Sequence, residues 1–282
     1  MDQLSPEDQH RRALAFRALH AGPGAFVIAN AWDAGTARLL TGLGFDALAT
    51  TSAGLAFALG RPDGANLVRR EEALANARAI VDATGLPVSA DLENGFGVDP
   101  AEVAATIRLA AGTGLVGASI EDATGEPERP IHPLELAVER IEAAVAAARE
   151  LDFPFTVTAR AENFLHGRPD LADTVRRLQA FEAAGADVLF APGLPDAEAV
   201  RTVCAEVGKP VNVLAAGPLT RLTVAQLAEL GARRISVGSA FARVALAATR
   251  RAAAALRESG GFTALTEAMP MPEASALMTE RD

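Results

Sequence analysis

The sequence predicts a (β/α)8 barrel of the TIM type, and three observations carry that prediction. Short β-branched or apolar runs alternate with Ala/Leu/Arg/Glu stretches of helical period, the pairs number eight, and they fit within the 282 residues. Strands buried on both faces and joined by crossover helices form a parallel sheet. Eight such units in roughly 250 residues is the size of a closed barrel. The strand candidates are residues 25–31, 47–53, 87–93, 116–122, 155–162, 186–192, 210–216 and 234–240. Gly44, Gly85, Gly114, Gly185, Gly208 and Gly231 are expected to end the helices that precede strands. A doubly wound open sheet is the alternative, but no G-x-G-x-x-G follows the first strand and no G-x-x-x-x-G-K-[ST] occurs. Residues 1–22 read as an N-terminal helix, about 23–260 as the barrel, and 261–282 as a helical tail broken by Pro270 and Pro272. No Gly-, Ser- or Pro-rich linker divides the chain, so 1–282 is expected to be one domain.

Composition excludes much of enzyme chemistry. Cys204 is the only cysteine, which rules out an intramolecular disulfide, a cysteine zinc cluster and an iron–sulfur site. Lys209 is the only lysine and precedes the seventh strand, at the face away from barrel active sites, which argues against Schiff-base chemistry. Tyrosine is absent, and His10, His20, His132 and His166 are too scattered for a histidine metal centre. Any metal site must be built mainly of carboxylates. The net charge of -10, with no Lys/Arg block, argues against nucleic acid. No apolar stretch is long enough for a membrane span and the N-terminus is too polar for a secretory signal, so a cytoplasmic location is expected.

Barrel active sites collect at the carboxyl ends of strands, so polar residues there can be read for function. The third strand ends Asp91-Leu92-Glu93-Asn94-Gly95 and the fourth ends Glu121-Asp122. Alternation along the third strand aims Asp91 and Glu93 at one spot, with Leu92 opposite, and Glu121 joins them from the next strand. Three clustered carboxylates call for a cation, and oxygen-only ligands favour Mg²⁺ or Mn²⁺. Asp99 and Asp122 read instead as a helix cap or solvated loop charges. Arg160, in the fifth strand, needs an anionic partner if buried: Glu162, a metal-site acid, or a substrate carboxylate or enolate. Thr50, Thr51, Ser52, Ala53 and Gly54, with Asn212 on the seventh strand, offer hydroxyls, an amide and backbone N–H groups suited to a small carboxylic acid. His132 and His166 lie in loops after the fourth and fifth strands, and Cys204 reads as apolar filler within a helix.

The strings NAWDAGTARLL (30–40), TTSAG and LGRPD (50–63), ADLENGFG (90–97), ASIED (118–122), TARAENF (158–164) and NVLA (212–215) resemble the isocitrate lyase/phosphoenolpyruvate mutase superfamily, in order along residues 25–245. The resemblance implies that Asp91, Glu93 and Glu121 hold Mg²⁺ partly through waters, with Asp63 close by. It implies that Arg160 binds substrate and that Thr51 to Gly54 and Asn212 contact its carboxylate. The implied chemistry passes through an enolpyruvate-like anion stabilised by metal and arginine, as C–C or P–C bonds are made or broken. The carbon–carbon lyases of the family carry a Lys/Arg-Cys-Gly-His sequence in the loop after the fourth strand; here residues 122–133 contain neither cysteine nor lysine.

The leading expectation is a Mg²⁺-dependent lyase acting on a small 2-oxo or 2-hydroxy carboxylate by C–C cleavage or decarboxylation. Protonation would come from water or a loop residue such as His132. Alternatives are phosphonopyruvate hydrolysis or mutation, a metal-binding barrel without catalysis, and a class II pyruvate aldolase, for which no histidine stands on an early strand. The resemblance also implies self-association as a homodimer or homotetramer that exchanges a helix near the C-terminus. The tail's Phe262, Leu265, Met269, Met271, Leu277 and Met278 form a fitting apolar set.

Overall fold

The computed structural model describes residues 4–279, so both ends of the expected 1–282 domain lie outside the described residues. Helix α1 (Pro6–Ala21) leads into eight parallel strands: β1 (Phe26–Asn30), β2 (Ala47–Ala49), β3 (Val88–Asp91), β4 (Gly117–Glu121), β5 (Thr156–Arg160), β6 (Val188–Phe190), β7 (Val211–Leu214) and β8 (Arg234–Ser236). They pair in sequence order and β8 closes on β1. The helices between them are α2 (Ala34–Gly42), α3 (Ser52–Ala58), α4 (Arg70–Asp82), α5 (Pro100–Ala111), α6 (Leu134–Arg149), α7 (Leu171–Ala183), α8 (Ala197–Glu206) and α9 (Val224–Glu229). The chain ends in α10 (Ala240–Ser259) and α11 (Met271–Leu277).

Each expected strand is present but shorter than its apolar run. Two of the shortfalls change the site. The second run was expected to reach residue 53, yet Thr51 leaves the strand and caps α3, its hydroxyl accepting from the Gly54 N–H at 3.2 Å. The third was expected to reach Glu93, yet β3 stops at Asp91 and Glu93 adopts the left-handed region at φ 47°. Strand alternation therefore does not explain how Glu93 is aimed. Of the six glycines expected to end helices, Gly44, Gly114, Gly185 and Gly231 have positive φ; Gly85 and Gly208 do not. Pro270 caps α11 and Pro272 stands in its first turn, so neither interrupts a helix.

Alternation divides the barrel wall cleanly elsewhere. Ala29, Leu48, Ala90, Ala118, Ile120, Val157, Leu189, Val213 and Ile235 face outward into one buried cluster with the surrounding helices. Inside, the lowest layer is apolar: Phe26, Ile28 and Ala47 meet Ala13 and Phe16 of α1, which covers the amino end. Above it the interior becomes polar, with Asn30, Ser89, Ser119, Thr158, Asn212, Arg234 and Ser236 all buried. One row of paired residues, Glu121, Arg160, Phe190, Asn212 and Arg234, runs obliquely across β4 to β8. Because barrel strands are tilted and staggered, this row descends from the carboxyl end of β4 to the amino end of β8.

His20 anchors α1 beneath that row. Its Nδ1 lies 2.9 Å from the Phe16 carbonyl, so that nitrogen carries the proton, and its ring stands edge-on to Phe16 and Phe26. Its Nε2 lies 3.5 Å from Arg234 Nη1. Burial, followed by the Arg234 charge, lowers its pKa from 6.5 to about 3. Between those values the unfolded chain binds the proton and the folded one does not, so the contribution is complete above pH 6.5 and is lost as pH falls toward 3. His20→Gln should therefore flatten the fall in Tm between pH 6.5 and 4, whatever its effect at pH 8; parallel Tm profiles for the two proteins would contradict this.

Candidate active site

At the carboxyl ends of β3, β4 and β5 three carboxylates converge on one guanidinium. Arg160 Nη1 lies 2.8 Å from Asp91 Oδ1, Nη2 lies 3.0 Å from Glu121 Oε2, and Nε lies 2.9 Å from Glu162 Oε1. The Phe190 ring packs 5.2 Å from the guanidinium carbon. Burial alone would lower the Arg160 pKa, but Glu121, Glu162 and Asp91 together raise it well above its usual value. Asp91 is held from its other side by the Ser52 hydroxyl at 2.9 Å and the Ser52 N–H at 3.3 Å. Thus the α3 start, absent from the expected strand, orients the acid that meets Arg160.

Glu162 is fixed from behind. Its N–H donates to Asp122 Oδ1 at 2.8 Å, and Arg177 Nη1 donates to Asp122 Oδ2 at 2.9 Å and to the His132 carbonyl at 3.0 Å. Asp122 is therefore neither a cap nor a solvated loop charge; it is 2% exposed and braces the site. The Asp99 reading holds, since Asp99 caps α5.

Acid exceeds base at the mouth. Burial and then Asp91 and Asp63 raise Glu93 to about 7. Burial also drives Glu121 well above 4.5, against the pull of Arg160. Asp63 sits on an accessible loop, but loss of water on its inner side and the Asp91 charge raise it too. A set of carboxylate oxygens with uncompensated charge fits a hard divalent cation in donor chemistry. Among the described residues no three acids are gathered as a metal coordination sphere, because Arg160 draws Asp91 and Glu121 onto itself. Mg²⁺ commonly keeps several waters and takes one or two carboxylates, so this arrangement still suits it.

The loop carrying Glu93 is gripped from beneath. Arg140 of α6 is 1% exposed and donates to the carbonyls of Asn94, Gly97 and Val98. Replacing it would leave those carbonyls unpaired. Arg140→Ala should cost about 3 kcal/mol and lower Tm by roughly 6 °C; an unchanged Tm would contradict the grip.

The remaining expected residues divide. Ala53 is buried, and Gly54 is wedged between Thr51 and Trp32, its N–H already used by the Thr51 cap. Asn212 does face the chamber, with Nδ2 donating to Ser236 Oγ at 2.9 Å and Oδ1 accepting from Arg234 Nε at 2.9 Å. The chamber is about 100 Å³ and is lined by Asp91, Arg160, Asn212, Ser89, Ser119 and Arg234 among others. His132 is buried, lies outside that lining, and is lowered to about 4 by burial and by Arg140. His166 Nε2 is 3.9 Å from Glu162 Oε2. Cys204 is raised to about 11 by burial, as an inert filler should be. Lys209 lies at the amino end, beside Arg149 and Asp187. Arg140, Arg177 and Arg234 were not singled out from sequence. The available signal was an arginine at an inward strand position for Arg234; for the other two, on amphipathic helices, there was none.

Fold and site together define a (β/α)8 barrel with an acid-rich centre at its carboxyl face. A family model described as phosphoenolpyruvate phosphomutase matches residues 16–257, and the chain belongs to this family within the isocitrate lyase/phosphoenolpyruvate mutase superfamily. An oxaloacetate decarboxylase of Chromohalobacter salexigens is 30% identical, covering 87% of this chain and 85% of its own. A crystal structure from Burkholderia cenocepacia J2315, described as a lyase/mutase, is 55% identical, covers 98% of both chains and superposes with a TM-score of 0.94. A phosphonopyruvate hydrolase solved with oxalate and Mg²⁺ is 27% identical, covers 94% of both chains and has a TM-score of 0.83. The relatives are lyases, decarboxylases, hydrolases and mutases, which supports an enzyme.

Proposed function

We propose that the protein is a divalent-cation-dependent lyase that cleaves a C–C bond of, or decarboxylates, a small 2-oxo or 2-hydroxy carboxylate through an enolpyruvate-like anion. The observation that carries this reading is the buried Arg160 with Asp91 and Glu121 on its two terminal nitrogens. Asp91, Glu93 and Glu121, with Asp63 at the rim, would hold Mg²⁺ or Mn²⁺, which supplies Lewis-acid stabilisation of the anion. Arg160 presents planar donors to the enolate or carboxylate oxygens, and Glu162 and Phe190 keep it from swinging away. Thr51, Ser52, Ala53, Gly54 and Asn212 are the proposed substrate contacts. With His132 uncharged at neutral pH, water is the proposed proton source.

The loop after β4 supports decarboxylation or cleavage without a thiol. It folds into a small hairpin, with Ala123 bridging Ile131, and contains no cysteine. The similarity to phosphonopyruvate hydrolase favours P–C chemistry as the second reading. Assay of oxaloacetate, 2-methylisocitrate, isocitrate and phosphonopyruvate with Mg²⁺ for pyruvate or glyoxylate release separates these from a barrel without catalysis. On the active substrate, Arg160→Lys should lower kcat by ~10²-fold, since an ammonium cannot make the two-point contact. Cys204→Ser should keep full turnover; a dead Cys204→Ser enzyme would restore a thiol mechanism.

Oxalate, a mimic of the enolpyruvate core, should bind far more tightly with Mg²⁺ or Mn²⁺ present than in chelator, because the acids at the mouth repel an anion until a cation offsets them. Asp91→Asn or Glu121→Gln should weaken the cation by ~10-fold or more in a protein that still folds, since each removes like charge from the cluster and leaves Arg160 two carboxylate partners. Calorimetry giving equal oxalate affinity in chelator would count against the cation.

Self-association is proposed on α10. It is 20 residues long with only Ala242 buried; Val244 and Leu246 on it, and Phe262 and Met271 beyond it, are exposed. Such an amphipathic helix is stabilised by covering its apolar side, and a second copy is the proposed cover in a dimer or tetramer. Sedimentation should show a species heavier than the 29.1 kDa chain; a single monomeric species would exclude it.

A further inference from the structure

Among the described residues, Arg234 is the one charged side chain lining the chamber that the proposed chemistry does not use. It faces inward from the amino end of β8, is 4% exposed, and donates from Nε to Asn212 Oδ1 at 2.9 Å and from Nη2 to Thr158 Oγ1 at 3.1 Å. Among the described residues no carboxylate pairs with it, whereas Arg160 is held by three. The charged neighbour that acts on it is Arg160, of the same sign; burial and that repulsion lower its pKa to about 9, so it stays charged at neutral pH. A buried guanidinium without an anion is costly, and proteins commonly retain such a group for function.

The chamber beside it offers donors, and the one carboxylate in its lining, Asp91, is already held by Arg160 and Ser52. With Oδ1 occupied by Arg234, the Asn212 amide must turn Nδ2 toward Ser236 and the chamber, leaving one N–H unused. The Ser236 hydroxyl accepts from Asn212 and so can donate onward. Ser89 and Ser119 are buried and line the same chamber of about 100 Å³, which accommodates a group of carboxylate size but not a ring system.

We propose that Arg234 forms the charged floor of an inner carboxylate subsite, fixing Asn212 with its N–H outward and selecting a small anionic group over a neutral one. This rests on the proposed reading in placing substrate in this chamber. It adds that a carboxylate of the substrate points down the barrel axis, away from the acids at the mouth. Arg234 is thereby a positioning residue for Asn212 and the source of the subsite's charge selectivity.

Thermal unfolding in chelator with formate, and with formamide as its neutral counterpart at matched ionic strength, tests the subsite without catalysis or metal. Formate should raise the wild-type Tm saturably and formamide should not. Arg234→Met should lose the formate response. Arg234→Lys, which keeps the charge but not the planar hold on Asn212, should need at least tenfold more formate for half the effect. Equal shifts from formate and formamide in the wild type, or a wild-type formate response in a folded Arg234→Met or Arg234→Lys protein, would overturn the subsite. Should the substrate panel prove inactive while these differences stand, the lyase reading fails and the subsite does not.

Discussion

Three carboxylates from neighbouring strand ends share the buried guanidinium of Arg160, and the carboxyl face is organised by that contact. Each acid alone would be costly to bury, and so would the arginine; together they become tolerable only if all are held in place. The supporting contacts follow from this. Ser52 secures Asp91 from the start of α3, and Asp122 with Arg177 secures the backbone behind Glu162. Removing one acid leaves Arg160 two partners, whereas removing Arg160 leaves three carboxylates facing one another. The proposed chemistry and the stability of the carboxyl face therefore depend on the same residue.

The barrel's stagger links the centre to residues that look remote in sequence. Arg160 pairs in register with Phe190, Phe190 with Asn212, and Asn212 with Arg234. The row carries charge at its two arginine positions and an aromatic ring and an amide between them. The like charges are separated by these neutral neighbours, and the two guanidiniums bracket the polar chamber from above and from the side of β8.

Much of this was legible in the chain. Apolar alternation and regularly spaced helix ends locate all eight strands, and the acids at 91 and 121 with Arg160 stand where strand ends demand an explanation. What was not legible lies in local backbone events and long-range partners. Thr51 is β-branched and reads as strand, but its cap on Gly54 turns the chain into α3 one residue later. Glu93 follows an inward–outward pattern up to the point where its positive φ breaks it. Arg140 and Arg177 resemble the solvated positions of amphipathic helices; only the fold reveals the carbonyls and the acid they meet across 40 or more residues. Asp122 was misread for the same reason, since its partner Arg177 is 55 residues away.

The strands are short, with β2, β6 and β8 only three residues long. At about 3.3 Å per residue such a wall is roughly 10 Å tall. One side chain from its base consequently reaches the middle of the chamber, as Arg234 does, and the ring of His20 on α1 lies just beneath. The usual separation of a barrel into one end that evolves chemistry and another that maintains the fold is compressed here into little more than the length of an arginine. Variation in α1 becomes a route to altered ligand preference, and a library confined to the loops at the carboxyl face would sample only the upper half of the pocket.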